Sequence, residues 1–229
     1  MSKHIKLDRE SQLSQREHFV NTFLKHNIPL RTEKERLALL QEWLDEIGDE
    51  PLWVFGYGSL MWNPGIEYTQ QLPAKIYGFQ RKFCIDMVVF RASTSNPGLM
   101  LGLDRAEDDK VCTGIIFQIS PKRVAHELDA LFMRELTTRI YKPVWVDAKT
   151  EQGNIHALTF VVEKNEKRYV DALSLNEKAK RIAFAEGDMG TNRDYLYNTV
   201  EHLRELNIND AYLEELYSKV KQLRKNIDN

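Results

Sequence analysis

The central part of the chain alternates short apolar segments with turns, and segments of helical pattern lie on both sides of it. The stretches rich in apolar, aromatic and β-branched residues are 52–57, 74–90, 99–103, 111–119, 140–146 and 156–163. Short runs of this kind, bounded by turn residues, are typical of strands. Helices at both ends of a mostly antiparallel strand block predict an α+β fold and argue against a doubly wound parallel sheet.

The first fifty residues carry a helical pattern of their own. Thr32 is followed three residues later by Glu35, which is the signature of a capping box, and Gly48 is a plausible end for that helix. Ser174 and Glu177 form a second possible capping box near the other end of the chain. We therefore expect residues 1–50 to form a helical extension that packs on a main domain of residues 51–229.

Composition and charge exclude several classes of partner. The chain of 229 residues has 32 basic and 34 acidic residues and a net charge of −2, which gives no electrostatic reason to expect nucleic acid or an anionic membrane. Its apolar runs fall far short of the ~20 residues that span a bilayer, and residues 1–8 contain no apolar signal-peptide core. We expect a cytoplasmic protein. Cys84 and Cys112 lie in apolar runs without metal-site spacing, so we expect two buried thiols.

A glycine-rich turn follows the first strand segment. The run Val54-Phe55-Gly56-Tyr57-Gly58-Ser59-Leu60 passes from apolar residues into two glycines around a tyrosine. Consecutive N–H groups in such a turn can converge on an anionic group, because glycine lets the backbone approach closely. The run predicts a backbone cradle for a small carboxylate, and a plain β-turn between two strands is the alternative.

Among the carboxylates, Glu135 has the most suggestive position. The six histidines form neither HxH nor HExxH, and the sequence has no Walker lysine, GxSxG elbow or GxGxxG run. Glu135 ends a predicted helix, where the negative end of the dipole and an apolar pocket would both raise its pKa and make it a good proton shuttle. The alternative is a solvated helix-end glutamate paired with Arg134 or Arg139.

Three tyrosines and one arginine complete the candidate site. Tyr57, Tyr141 and Tyr195 could each aim a hydroxyl group into a cavity, and each could equally be a half-buried packing residue. Arg91 could pair with a substrate carboxylate, or it could be a solvated loop residue.

Several motifs in order make the chain resemble the ChaC family of γ-glutamylcyclotransferases, over about residues 52 to 223. The motifs that carry the resemblance are Phe55-Gly56-Tyr57-Gly58-Ser59-Leu60-Met61-Trp62-Asn63-Pro64, Gly78-Phe79-Gln80-Arg81-Lys82-Phe83-Cys84, Pro97-Gly98-Leu99-Met100-Leu101-Gly102-Leu103-Asp104, Thr113-Gly114-Ile115-Ile116-Phe117, Arg134-Glu135, Tyr141-Lys142-Pro143 and Gly190-Thr191-Asn192-Arg193-Asp194-Tyr195-Leu196.

The resemblance implies a small mixed β-barrel flanked by helices, with residues 51–229 as the catalytic domain. It also implies cleavage of glutathione to 5-oxoproline and cysteinylglycine, with Glu135 as the catalytic residue and with no metal or organic cofactor. The substrate-binding residues that we then expect are Tyr57, Gly58, Ser59, Leu60, Arg91, Tyr141 and Tyr195.

Two departures from the family pattern leave the substrate preference open. The sequence Arg91-Ala92-Ser93 lacks the glycine that many relatives have after this arginine, and Glu186 and Asp188 add acidic groups before the last motif. Other γ-glutamyl amines or amino acids are therefore alternative substrates. A non-catalytic regulatory protein linked to cation transport is a further alternative, and the oligomeric state is not predicted.

Overall fold

The computed structural model describes residues 9–228, with side chains described from residue 17 to residue 226, and it divides the chain into two compact units. The first unit contains the described residues up to Phe79 together with Arg105–Glu163. The second contains Gln80–Asp104 and the described residues from Lys164 onward. The first eight residues of the predicted helical extension lie outside the described residues.

The first unit combines a five-stranded barrel with three helices. Its strands are β1 (Leu52–Gly56), β2 (Gln70–Tyr77), β5 (Val111–Ile119), β6 (Tyr141–Thr150) and β7 (Gly153–Val162). Its helices are α1 (Arg9–Lys25), α2 (Glu33–Ile47) and α3 (Val124–Glu135), with single 3-10 turns at Ser59–Met61 and Pro121–Arg123.

The barrel is closed and mixed, in the order β1-β5-β2-β6-β7. Its ladders are antiparallel except for the closing one, where β1 and β7 run parallel with Val54 opposite Leu158. Between β2 and β6 the register joins Lys75 to Lys149. Large apolar side chains such as Phe55 and Phe117 are fully buried in this unit. The predicted α+β class with a small mixed barrel is confirmed.

The α2 helix begins at the predicted capping box and packs on α3 and β6. The Thr32 side chain accepts a hydrogen bond from the Glu35 N–H, and the Glu35 carboxylate accepts one from the Thr32 N–H. Trp43 contacts Phe132 of α3 and Trp145 of β6, with ring centroids 6.4 and 4.8 Å away. The boundary at residue 50 between extension and main domain stays a prediction.

The second unit contains short strands and three helices. The strands are β3 (Phe79–Met87, from the unit boundary), which pairs with β4 (Gly98–Arg105), and the two-residue pair β8 (Glu186–Gly187) and β9 (Gly190–Thr191). The helices are α4 (Leu175–Phe184), α5 (Asn192–Glu205) and α6 (Ala211–Asp228), and the predicted capping box at Ser174 is present at the start of α4.

The predicted long strand of residues 74–90 is two strands in two different sheets. Gly78 has a positive φ of 75°, which an L-residue rarely adopts, and it separates β2 from β3. The strand β2 begins at Gln70, before the predicted start, and β3 ends at Met87. The chain therefore passes from one sheet to another at Gly78.

Both cysteines are buried and neither forms a disulfide, as the sequence predicted. None of the helices that the structure describes combines the length and the apolar character that a bilayer crossing requires.

Candidate active site

The turn after β1 folds back tightly on the end of its own strand. A Cβ atom on Gly56 would lie 3.1 Å from the Leu60 Cβ, so this close approach favours glycine. The chain then forms the 3-10 turn Ser59–Met61, in which the Met61 N–H donates to the Gly58 carbonyl oxygen over 2.9 Å. The first N–H groups of such a turn have no partner within it, so they are available to an anionic group.

Two residues of neighbouring strands fix the base of this turn. A Cβ atom on Gly114 of β5 would lie 2.2 Å from the Gly56 carbonyl oxygen and 2.6 Å from the Phe55 ring, so no larger residue fits. From β7, the buried Thr159 hydroxyl donates to the Phe55 carbonyl oxygen over 2.9 Å. From the sequence, Gly114 was recognised only as part of a motif, and Thr159 was not predicted. The signal available for Gly114 was a glycine inside an apolar strand run.

Glu135 lies at the last residue of α3, and its side chain is 16% exposed. Burial raises the pKa of its carboxyl group, and the positive charge of Arg134 opposes that rise. The Arg134 Nε lies 3.0 Å from Glu135 Oε1, whereas Arg139 pairs with Glu35 over 2.6 Å. Glu135 is thus a largely buried carboxylate with an arginine partner, which combines features of both interpretations of the sequence.

The same arginine also binds the segment that follows the glycine-rich turn. Arg134 Nη2 donates to the Ser59 hydroxyl oxygen over 2.8 Å, and Nη1 donates to the Asn63 carbonyl oxygen over 2.7 Å. The Pro64 carbonyl oxygen lies 3.4 Å from Nη1. One guanidinium group therefore joins the Glu135 carboxylate to the predicted anion cradle. The sequence indicated Arg134 only as a possible partner of Glu135, and its contacts with Ser59 and Asn63 were not predicted.

Two of the predicted tyrosines belong to the same unit as Glu135. Tyr57 is buried between β1 and the 3-10 turn, and Tyr141 is buried at the first residue of β6, opposite Val162 of β7. Each of them carries a hydroxyl group as the polar end of a largely apolar side chain. Their part in binding a substrate stays a prediction.

Arg91 and Tyr195 belong to the second unit. Arg91 Nη1 donates to the Thr191 carbonyl oxygen over 3.3 Å, and Tyr195 of α5 packs edge-on to Phe83 with ring centroids 5.7 Å apart. Both side chains thus help to order the second unit itself. Whether either of them binds substrate stays a prediction.

A separate cavity of about 440 Å³ is lined by residues of β2, β6 and neighbouring segments, and none of the predicted site residues lines it. Tyr77, Trp145 and Lys149 are among the residues that line it. A large cavity is the default candidate for a binding site, but the carboxylate and the cradle lie elsewhere. Within the described residues, no three His, Cys, Asp or Glu side chains are arranged to hold a metal ion.

Comparison with known proteins decides the family. The profile of the family described as ChaC-like protein matches residues 52–223. The chain belongs to the ChaC family. The matched range includes both Glu135 and the turn at Gly58, so both parts of the candidate site belong to the family domain.

Curated members of the ChaC family align with most of this chain. A glutathione-specific γ-glutamylcyclotransferase of Escherichia coli is 33% identical over 85% of this chain and 84% of its own length. The protein of that name from Schizosaccharomyces pombe is 30% identical over 76% of this chain and 95% of its own length. A glutathione-specific γ-glutamylcyclotransferase 1 of Danio rerio is 32% identical over 69% of this chain and 81% of its own length.

The fold has a close parallel among solved structures. The crystal structure of a yeast γ-glutamylcyclotransferase specific to glutathione superposes with a TM-score of 0.66 and 24% identity. The match covers 76% of this chain and the whole of the yeast chain. A crystal structure therefore supports the fold described here for this chain.

Proposed function

We propose that this protein is a γ-glutamylcyclotransferase that cleaves glutathione to 5-oxoproline and cysteinylglycine. Membership of the ChaC family and the similarity to glutathione-specific γ-glutamylcyclotransferases of other organisms support this reaction class and this substrate. The observation that carries the proposal is the Arg134 guanidinium, which joins the buried Glu135 carboxylate to the turn at Ser59. One side chain thus contacts both the proposed acid–base group and the turn that we propose as the anion-binding element.

The proposed reaction needs no nucleophile from the protein. The α-amine of the γ-glutamyl group attacks its own γ-carbonyl carbon and forms the new C–N bond of a five-membered ring. Glu135 accepts the proton that the amine loses. The old amide C–N bond then breaks, and Glu135 returns a proton to the leaving nitrogen of cysteinylglycine. A carboxyl group whose pKa is raised by burial suits both transfers, because it both accepts and releases a proton readily.

The turn at Gly58 supplies the other requirement, which is a substrate held in a folded shape. Its N–H groups would bind the γ-glutamyl α-carboxylate and leave the amine free to face Glu135. Holding the amine and the carbonyl carbon together is worth several kcal/mol, and about 7–11 kcal/mol in the most favourable cases. Further N–H groups of the turn would stabilise the oxyanion that develops on the γ-carbonyl oxygen.

Three tyrosines and one arginine are the remaining residues of the proposed site. Tyr57 and Tyr141 would shape the pocket around Glu135, since both are buried residues of the first unit. Arg91 and Tyr195 belong to the second unit, and we keep them as expected substrate-binding residues. Both lie within the range that the family profile matches.

We also place the protein in the cytoplasm, with glutathione as its partner and no nucleic acid. The two buried, unlinked thiols fit a reducing compartment, and the nearly balanced charge gives no attraction for nucleic acid.

The first experiment replaces the proposed acid–base group. Glu135→Gln keeps the shape of the side chain and removes its ability to take a proton, so we expect a folded protein that releases no measurable 5-oxoproline from glutathione. Glu127→Gln is the matched control, because Glu127 is also buried on α3 and lies about 12 Å away along the helix axis. We expect this control to retain turnover. Substantial release by folded Glu135→Gln would contradict the assignment.

A second experiment tests the substrate. The protein is incubated with glutathione, with γ-glutamyl amino acids and with γ-glutamyl amines, and 5-oxoproline is measured in each case. We expect release from glutathione and little from the other compounds. Equal release from all of them would show a general γ-glutamyl activity, and no release from any would contradict the proposed reaction.

A further inference from the structure

Arg134 contacts both Glu135 and the glycine-rich turn, but it has no part in the proposed proton transfers. Its Nε faces Glu135 Oε1 at 3.0 Å, its Nη2 binds the Ser59 hydroxyl oxygen at 2.8 Å, and its Nη1 binds the Asn63 carbonyl oxygen at 2.7 Å. The planar guanidinium group holds its five N–H donors at fixed angles. The three partners are therefore held in a fixed relation to one another.

The partners of Arg134 come from two places that are far apart in the sequence. Glu135 follows it directly on α3. Ser59 is the first residue of the 3-10 turn, and Asn63 lies two residues after the end of that turn. The Asn63 N–H in turn donates to the Ser59 carbonyl oxygen over 2.8 Å, so this segment is internally braced as well. A shift of the turn relative to α3 would break at least one of the contacts of Arg134.

We propose that Arg134 is a positioning residue that locks Glu135 to the Gly58–Leu60 turn, so that one guanidinium group sets the distance between the acid–base carboxylate and the carboxylate cradle. This inference rests on the proposed function. Lysine is a poor substitute, because its ammonium group is a single point charge on a flexible stem and cannot hold three partners in one plane.

Two consequences of the arrangement can be separated by experiment. The first is geometric, since a misplacement of about 1 Å can lower a rate by about 100-fold. The second is electrostatic, because the positive charge of Arg134 favours the ionised form of Glu135 and so opposes the effect of burial on its pKa. Loss of the charge raises the pKa of Glu135, and the acid limb of the pH–rate profile moves to higher pH.

The experiment compares Arg134→Gln, Arg134→Lys and Arg139→Gln with the unchanged protein. Arg139 lies four residues after Glu135 and pairs with Glu35, so it controls for the loss of a nearby arginine. We expect both Arg134 variants to lower kcat/KM for glutathione by about 100-fold. Only Arg134→Gln moves the acid limb, because lysine keeps the charge. Arg139→Gln stays within about twofold of the unchanged protein.

A direct titration separates the failure of this inference from the failure of the proposed function. The pKa of the Glu135 carboxyl group, followed by NMR in protein labelled with ¹³C-glutamate, rises in Arg134→Gln whether or not the protein turns over glutathione. An unmoved pKa in folded Arg134→Gln overturns the proposal, as does a kcat/KM within about twofold of normal in both Arg134 variants of an active enzyme. If Arg134→Gln does not fold, Arg134→Lys provides the geometric test alone, through its kcat/KM.

Discussion

At the level of single residues, the proposed carboxylate cradle depends on backbone geometry more than on side-chain chemistry. The turn at Gly58 offers N–H groups, and the side chain of Ser59 points instead to Arg134. The sequence predicted the turn and Glu135, because glycines after a strand and a carboxylate at a helix end are local signals. It did not predict the bridge by Arg134, because a hydrogen bond across 75 positions of the chain has no local signature.

A pair of substitutions in the turn tests this distinction. Ser59→Ala removes one exposed hydrogen bond from Arg134, so we expect glutathione turnover to fall only about threefold. Gly58→Val adds a branched side chain at a buried position where the substrate's carboxylate would lie, and we expect a loss of about 100-fold or more. The 5-oxoproline assay measures both. Similar losses in the two variants would contradict a cradle that is built mainly from backbone N–H groups.

At the level of elements, local signals in the sequence predicted the helix starts well and the sheets less well. The capping boxes at Thr32 and Ser174 are present, since the groups that form them lie within three residues of each other. The change of sheet at Gly78 was not predicted, because the partner of a strand is chosen by packing with distant parts of the chain. The predicted strand began at residue 74, whereas β2 begins at Gln70. Pro73 is an unfavourable strand residue, because proline donates no ladder hydrogen bond.

The start of α5 gives a prediction at this scale. The buried Asn192 side chain accepts a hydrogen bond from the Leu99 N–H over 2.8 Å and donates one to the Leu99 carbonyl oxygen over 2.9 Å. Asn192→Ala leaves both backbone groups of β4 without their partner, and we expect it to lower the free energy of unfolding by about 2–4 kcal/mol.

Asn198→Ala is the control for that prediction, because Asn198 is an exposed residue of the same helix. It should change the free energy of unfolding by less than about 0.5 kcal/mol. Denaturant titrations of the three proteins provide the measurement. Equal stability of Asn192→Ala and Asn198→Ala would mean that the pair of hydrogen bonds to Leu99 contributes nothing net.

At the level of the whole molecule, a buried charge outside the proposed site bears on the stability of the fold. The candidate site uses Glu135 and Arg134 in the first unit, whereas the second unit buries Lys178 of α4 with a side chain that has no part in the proposed reaction. Burial lowers the pKa of Lys178 to about 8, and Lys82 adds to the effect, while Cys84 and Asp104 oppose it. The aromatic ring of Tyr212 faces the ammonium group at 5.9 Å. No pattern in the sequence predicted this buried lysine, because the same helix carries a second lysine, Lys180, which is exposed.

The sign of the resulting pH dependence follows from proton linkage. The folded protein gives up the Lys178 proton near pH 8, whereas the unfolded chain keeps it until near the usual value of 10.5. Between these values the unfolded state binds more protons, so this group makes the protein more stable as pH rises. Below pH 8 the buried charge destabilises the fold by its full amount. Lys178→Met removes that charge and should therefore stabilise the protein at pH 7, by roughly 1 kcal/mol once solvent screening is allowed for.

The gain from Lys178→Met should shrink as the pH rises from 8 towards 10.5, because the unchanged lysine then becomes neutral in the folded protein. Burial also raises the pKa of Cys84 to about 12, but that effect is present in both proteins and largely cancels in the comparison. Lys180→Met is the control, since Lys180 is exposed on the same helix. Free energies of unfolding at pH 7 and pH 10 provide the test. A gain from Lys178→Met that is the same at both values, or that Lys180→Met reproduces, would mean that the Lys178 charge does not destabilise the folded protein.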